Sequence, residues 1–131
     1  MQTDFSKLPT TLQQALAGAF DITEPMPIQA ESYPLIAEGK NVVLQSRTGS
    51  GKTLAYLLPF LATLTPGESG NRLLIVAPTQ ELAVQIANVV RAINAKLETP
   101  YSIALCGGGA NINHQIDKLK ARPAIIVGTP G

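Results

Sequence analysis

Four short apolar runs punctuate the chain: Asn41 to Gln45, Arg72 to Ala77, Ser102 to Cys106 and Ala124 to Val127. Each is nearly continuous in Val, Ile, Leu or Ala and does not alternate with polar residues. That is the pattern of strands buried on both faces of a parallel sheet. The stretches between them read as helices. Leu54 to Leu64 stops before Thr65-Pro66-Gly67, a strong break signal. Glu81 to Leu97 places Leu82, Ile86, Val89, Val90 and Ile93 at helical spacing, and Ile112 to Lys120 does the same with Ile112, Ile116 and Leu119. Strand and helix alternate about every 30 residues, the length of a βαβ unit. The expected fold is a right-handed, doubly wound α/β domain, in which ligands sit beyond the carboxyl ends of the strands.

The first 40 residues follow another pattern. Leu8 to Phe20 predicts a helix with Leu12, Leu16 and Phe20 on one face and Thr10 or Thr11 as N-cap. Pro25 and Pro27 interrupt the chain, and Pro27 can open a second helix, Ile28 to Glu38, closed by Gly39. The expected division is therefore residues 1–39, a helical region, and residues 40–131, the α/β part.

Composition narrows the class. Hydrophobic residues make up 45% and charged residues only 15%, low against roughly a quarter in an average domain. A net charge of +1 leaves nucleic-acid binding to a local patch. The single cysteine, Cys106, excludes an internal disulfide and suits a reducing, cytoplasmic setting. The N-terminus lacks an apolar signal-peptide core, and no run is long enough to span a bilayer, so no membrane partner is expected.

Candidate chemistry lies just past each apolar run. After the first comes Ser46-Arg47-Thr48-Gly49-Ser50-Gly51-Lys52-Thr53, a small-residue loop between strand and helix, as in a phosphate-binding P-loop. Gly49 and Gly51 let the backbone curl so that N–H groups converge. Lys52 would charge-pair with the outer phosphates, and Thr53 would offer a hydroxyl to magnesium. Ser46 stands where the usual pattern has Gly. After the second run, Pro78-Thr79-Gln80-Glu81-Leu82-Ala83 reads as a helix start, with Thr79 as N-cap, or as a phosphate-binding N-terminus. After the third, Gly107-Gly108-Gly109 is either a turn or a place of close backbone approach. After the fourth, Thr129-Pro130-Gly131 reads as a turn. Gln29, near a helix start, is either solvated or able to pair with the N6 and N7 edge of adenine. His114 and Cys106 read as ordinary surface and core residues.

Together these segments resemble the DEAD-box family of ATP-dependent RNA helicases. Asp21 to Gln29 is similar to the family's Q motif, with Phe5 as its upstream aromatic, and Ser46 to Thr53 to motif I. Pro78 to Ala83 resembles motif Ia, Gly107-Gly108 the GG motif and Thr129-Pro130-Gly131 motif Ib. The resemblance covers essentially the whole chain in the family's order. It implies a RecA-like P-loop fold, a parallel sheet flanked by helices. It implies ATP and Mg2+ as cofactors and RNA as a partner bound through its backbone. Ile22, Gln29, Ser46, Thr48, Gly49, Ser50, Gly51, Lys52 and Thr53 are implied to bind ATP, with Lys52 and Thr53 in catalysis and Thr53 at the metal. Pro78, Thr79, Gln80, Gly107, Gly108, Thr129, Pro130 and Gly131 are implied to line the RNA path.

Departures from the family pattern qualify this. Ile22 stands in place of an aromatic, Asp21 of Gly, Met26 of Thr or Ser, Ser46 of Ala and Gln80 of Arg. Losing that Arg predicts weaker RNA binding with a shallower salt dependence. No Asp-Glu-Ala-Asp occurs, nor the Ser-Ala-Thr motif, nor a second RecA-like domain. The expectation is an incomplete first RecA-like domain, binding nucleotide at most, from a parent that couples ATP hydrolysis to RNA remodelling. The alternatives are a nucleotide-dependent RNA clamp without unwinding, and an unrelated P-loop enzyme.

Overall fold

The computed structural model of the chain describes residues 5–47, 49, 51–107 and 112–131. The chain falls into two units, Met1–Thr63 and Leu64–Gly131. The expected functional division at residues 39 and 40 thus differs from the packing division, which keeps the P-loop with the N-terminal helices.

The first unit is helical: α1 (Thr10–Phe20), α2 (Pro27–Ala37) and α3 (Lys52–Thr63). In α1, Leu12, Ala15 and Leu16 are buried, and the chain leaves through Asp21 in the left-handed region, where its N–H reaches the Ala17 carbonyl at 3.0 Å. The expected threonine cap is not used. Pro9 precedes the helix, and its carbonyl receives the Leu12 and Gln13 amides at 3.0 Å each. Pro27 opens α2 as expected, and Gly39, with φ +85°, ends it by directing the Lys40 amide back to the Leu35 carbonyl at 3.1 Å. α2 packs on α3, whose Leu54, Ala55, Leu57, Leu58 and Leu61 are buried.

The first apolar run is not a strand. Residues 41–47 carry no ladder among the described residues, and Val43 is 91% exposed. A strand exists only by pairing its backbone groups with a neighbour, and no described segment supplies one. This run instead lines an open groove of about 390 Å³ with Ile36, Tyr56 and Phe60.

The second unit holds β1 (Leu73–Val76), α4 (Gln80–Asn94), β2 (Ile103–Cys106), α5 (Ile112–Lys120) and β3 (Ile125–Gly128). The three strands are parallel in the order β1-β3-β2. Their register aligns Val76, Gly128 and Cys106 in one row, so all three carboxyl ends emerge at the same edge. Ile75, Ile125 and Val127 form the core with Ala83, Ile86, Ala87, Val90 and Ile93 of α4. Asn94 at the end of α4 clasps Tyr101: its Nδ2 donates to the Tyr101 carbonyl, and its Oδ1 accepts the Tyr101 amide, both at 2.9 Å. α4 ends three residues short of the expected Leu97.

Asn94→Ala removes both of these bonds to the Tyr101 backbone at the entry to β2. It is expected to lower unfolding stability by about 2 kcal/mol in urea titration, whereas Asn88→Ala on the exposed face should change it little.

Candidate functional site

Lys52 and Thr53 form the first turn of α3, directly after the glycine loop. Gly49 and Gly51 both lie in the left-handed region, with φ +82° and +90°, as a curled phosphate loop requires. The Lys52 ammonium donates to the Ser46 carbonyl, so the two ends of the loop are tied together. Thr53 is half-buried and hydrogen-bonded to the Tyr56 phenol. Burial raises the Tyr56 hydroxyl above its ordinary value, and the Thr53 bond opposes that shift. Thr48 and Ser50 lie outside the described residues.

Gln29 is the side chain most tightly built into this region, only 3% exposed. Its Oε1 accepts the Met26 amide at 2.9 Å, and its Nε2 donates to the Gly51 carbonyl at 3.2 Å. A Cβ on Gly51 would lie 2.5 Å from that Nε2 and 3.1 Å from the Met26 sulfur. Glycine is therefore required at 51 twice over, by its φ and by the glutamine pressed against it. A primary amide has two donor and about two acceptor positions. After these two bonds, one N–H and one oxygen lone pair remain, a donor–acceptor pair of the kind adenine's N6 and N7 edge complements.

The link between Gln29 and the loop was not foreseen. Spacing signals only the Met26 bond, since a Gln three residues beyond an N-cap position reaches back to the capping amide. An apolar cavity beside Gln29, lined by Phe5, Leu8, Tyr33, Leu54 and Leu58 among others, holds about 20 Å³, room for one water and not for a base. Ile22 is half-buried just after α1, its amide bonded to the Leu16 carbonyl at 3.3 Å.

In the second unit the shared strand register gathers the remaining candidates at one edge. Pro78, Thr79 and Gln80 follow β1 and are exposed, Gly107 follows β2, and half-buried Thr129 with exposed Pro130 and Gly131 follows β3. Neighbouring strands lie about 4.8 Å apart, so these ends span roughly 10 Å. Thr79 is the N-cap of α4, its hydroxyl accepting the Leu82 amide at 3.2 Å. Gln115, which sequence reasoning passed over, donates from Nε2 to the Gly107 carbonyl at 2.7 Å. Gly108 lies outside the described residues. Among the described residues, no cluster of three His, Cys, Asp or Glu is placed to hold a metal ion, and no helix is long and apolar enough to cross a membrane.

A family model for the DEAD/DEAH box helicase matches residues 26–131, and the chain belongs to that family. It is 44% identical over 114 residues to the probable ATP-dependent RNA helicase YfmL of Bacillus subtilis, covering 87% of this chain and 30% of that protein. It is 45% identical over 122 residues to the DEAD-box ATP-dependent RNA helicase CshC of Bacillus cereus, covering 92% and 30%. The chain thus spans about a third of the length of these relatives. Among solved structures it is similar to a DEAD box protein of Methanococcus jannaschii, with a TM-score of 0.85 and 32% identity over 99% of this chain and 35% of that one. It is also similar to Mss116p, solved with single-stranded RNA and AMP-PNP, with a TM-score of 0.84 and 29% identity over 95% and 26%. The fold is RecA-like α/β, a parallel sheet flanked by helices.

Gly51→Ala forces a left-handed alanine and pushes the Gln29 amide off the loop. It should cost about 1–2 kcal/mol of stability from the backbone alone. It should also weaken nucleotide binding at least tenfold by fluorescent-nucleotide titration, whereas Gly49→Ala, with open space around its Cβ, should weaken it less.

Proposed function

We propose that this chain is the N-terminal part of the first RecA-like domain of an ATP-dependent RNA helicase. Its parent would be an RNA-stimulated ATPase that remodels RNA duplexes or RNA–protein complexes in the cytoplasm, with a second RecA-like domain elsewhere in the same protein. The observation that carries this reading is the Gln29 amide. It braces the phosphate loop at Gly51 while keeping one donor and one acceptor for a purine edge. Family membership and relatives named as ATP-dependent RNA helicases support the same direction.

In this reading Gln29 selects adenine and Ile22 adds apolar contact to the base. Ser46, Thr48, Gly49, Ser50 and Gly51 shape the cradle for the phosphates. Lys52 leaves the Ser46 carbonyl to meet the β- and γ-phosphates, a short swing because its ammonium already closes the loop. Thr53 would offer its hydroxyl to Mg2+. Bound there, the ion would neutralise phosphate charge during phosphoryl transfer.

RNA would lie across the carboxyl edge of the second unit's sheet, on Pro78, Thr79, Gln80, Gly107, Gly108, Thr129, Pro130 and Gly131. Small, mostly neutral groups there suit contacts to phosphate and ribose, which carry no base sequence. A second reading, a nucleotide-dependent RNA clamp, is favoured by one observation. Gln80 puts a neutral amide at the exposed start of α4, where the resembled motif has a cation.

In the complete protein, Lys52→Ala should abolish RNA-stimulated ATP hydrolysis while RNA binding without nucleotide persists. Equal turnover with and without RNA in the unsubstituted protein would sink the helicase reading. Gln29→Glu keeps an oxygen for the Met26 amide but loses the donor to Gly51. It should reduce the preference for ATP over GTP about tenfold or more in competition binding, and unchanged selectivity would remove Gln29 from the base site.

A further inference from the structure

The Thr53 hydroxyl already has a protein partner. Thr53 and Tyr56 lie three residues apart at the start of α3, on one face of the helix, with Cβ atoms about 5–6 Å apart. Side chains on a helix lean toward its N-terminus, so the Tyr56 ring leans back over Thr53. The two hydroxyls are hydrogen-bonded.

The ring that carries the phenol is packed. Tyr56 is half-buried in the wall of the groove it shares with Ile36, Val42, Leu44 and Phe60, and burial is the larger influence on its hydroxyl. Packing in that wall asks only for an aromatic ring, which phenylalanine would supply equally. The hydroxyl is additional, and it is spent on Thr53. Thr53 needs such a partner. A threonine in a helix divides between two χ1 wells, because its hydroxyl can turn to the backbone. A bond to a ring that is itself held by its neighbours favours one of them.

The count of protons and lone pairs gives that bond a use. A threonine hydroxyl has one proton and two lone pairs. A cation takes a lone pair and leaves the proton in need of an acceptor. The phenol oxygen is within reach to accept it, so the half-buried Thr53 can serve a cation without leaving its own proton unpaired.

We propose that Tyr56 is a positioning residue for the metal-binding hydroxyl: its phenol oxygen accepts the Thr53 proton and leaves the Thr53 oxygen free for a divalent cation. This rests on the reading that Thr53 meets Mg2+. Tyr56 acts through Thr53 and touches neither the nucleotide nor the ion.

The test is a double-mutant cycle on the complete protein, read as the dissociation constant of a fluorescent ADP analogue in EDTA and across a magnesium chloride titration. Tyr56→Phe keeps the ring and removes only the hydroxyl. In EDTA it should bind the analogue as the unsubstituted protein does, which a general loss of structure would not permit. The magnesium concentration for half the effect should rise about fivefold, the worth of one neutral hydrogen bond. Thr53→Val, similar in shape but without the hydroxyl, should raise it further, and adding Tyr56→Phe to Thr53→Val should change nothing more. An unchanged magnesium midpoint in Tyr56→Phe, or an equal shift in both backgrounds, would overturn the positioning role alone. Weaker binding of Tyr56→Phe in EDTA would assign the phenol to the packing of the loop and overturn it likewise. A magnesium dependence that Thr53→Val leaves untouched would overturn the reading of Thr53, and this inference with it.

Discussion

A buried glutamine amide laid against a glycine backbone is the constraint on which the first unit depends. In the first unit Gln29 presses on Gly51, and in the second Gln80 lies on Gly107. At Gly51 a single methyl group would overlap an amide that is bonded in place. That glycine therefore acts through a side chain elsewhere in the sequence as well as through its own small size. At Gly51 the constraint is doubled, because φ +90° also excludes ordinary residues.

The two contacts do different physical work. Gln29 is buried, and both its polar atoms serve backbone groups that would otherwise be costly to leave unpaired. It is a structural brace that ties the start of α2 to the loop before α3. Gln80 is exposed, and no hydrogen bond among the described residues holds its amide, so its contact with Gly107 is one it can leave. The shared register of β1, β2 and β3 brings Gly107 to the same edge as Thr129, because parallel strands deliver all their carboxyl ends together.

Much of this was legible in the sequence. The unbroken runs around Ile75, Ala104 and Ile126 gave parallel strands, and the spacing of Ile86, Val90 and Ile93 gave α4. The glycine loop before Lys52 marked the start of a helix, and α3 begins there. What stayed hidden depended on partners. Val42, Val43 and Leu44 have the composition of a strand, but composition cannot supply the neighbour whose amides complete a ladder. Thr10 looked like a cap, yet Pro9 presents its carbonyl and the threonine hydroxyl is not needed. Gln115 gave no signal at all, since an amide on a polar helix is unremarkable until a carbonyl is found within its reach.

The unpaired run from Asn41 to Gln45 carries a consequence for how the chain is made. It combines two valines and a leucine with no charge and no proline, and its central valine stands in solvent. Such a segment is a template for any extended backbone that arrives first, including another copy of itself. The residues that give this run the composition of a buried strand thus leave it open to pairing between copies when chains are made at high local concentration.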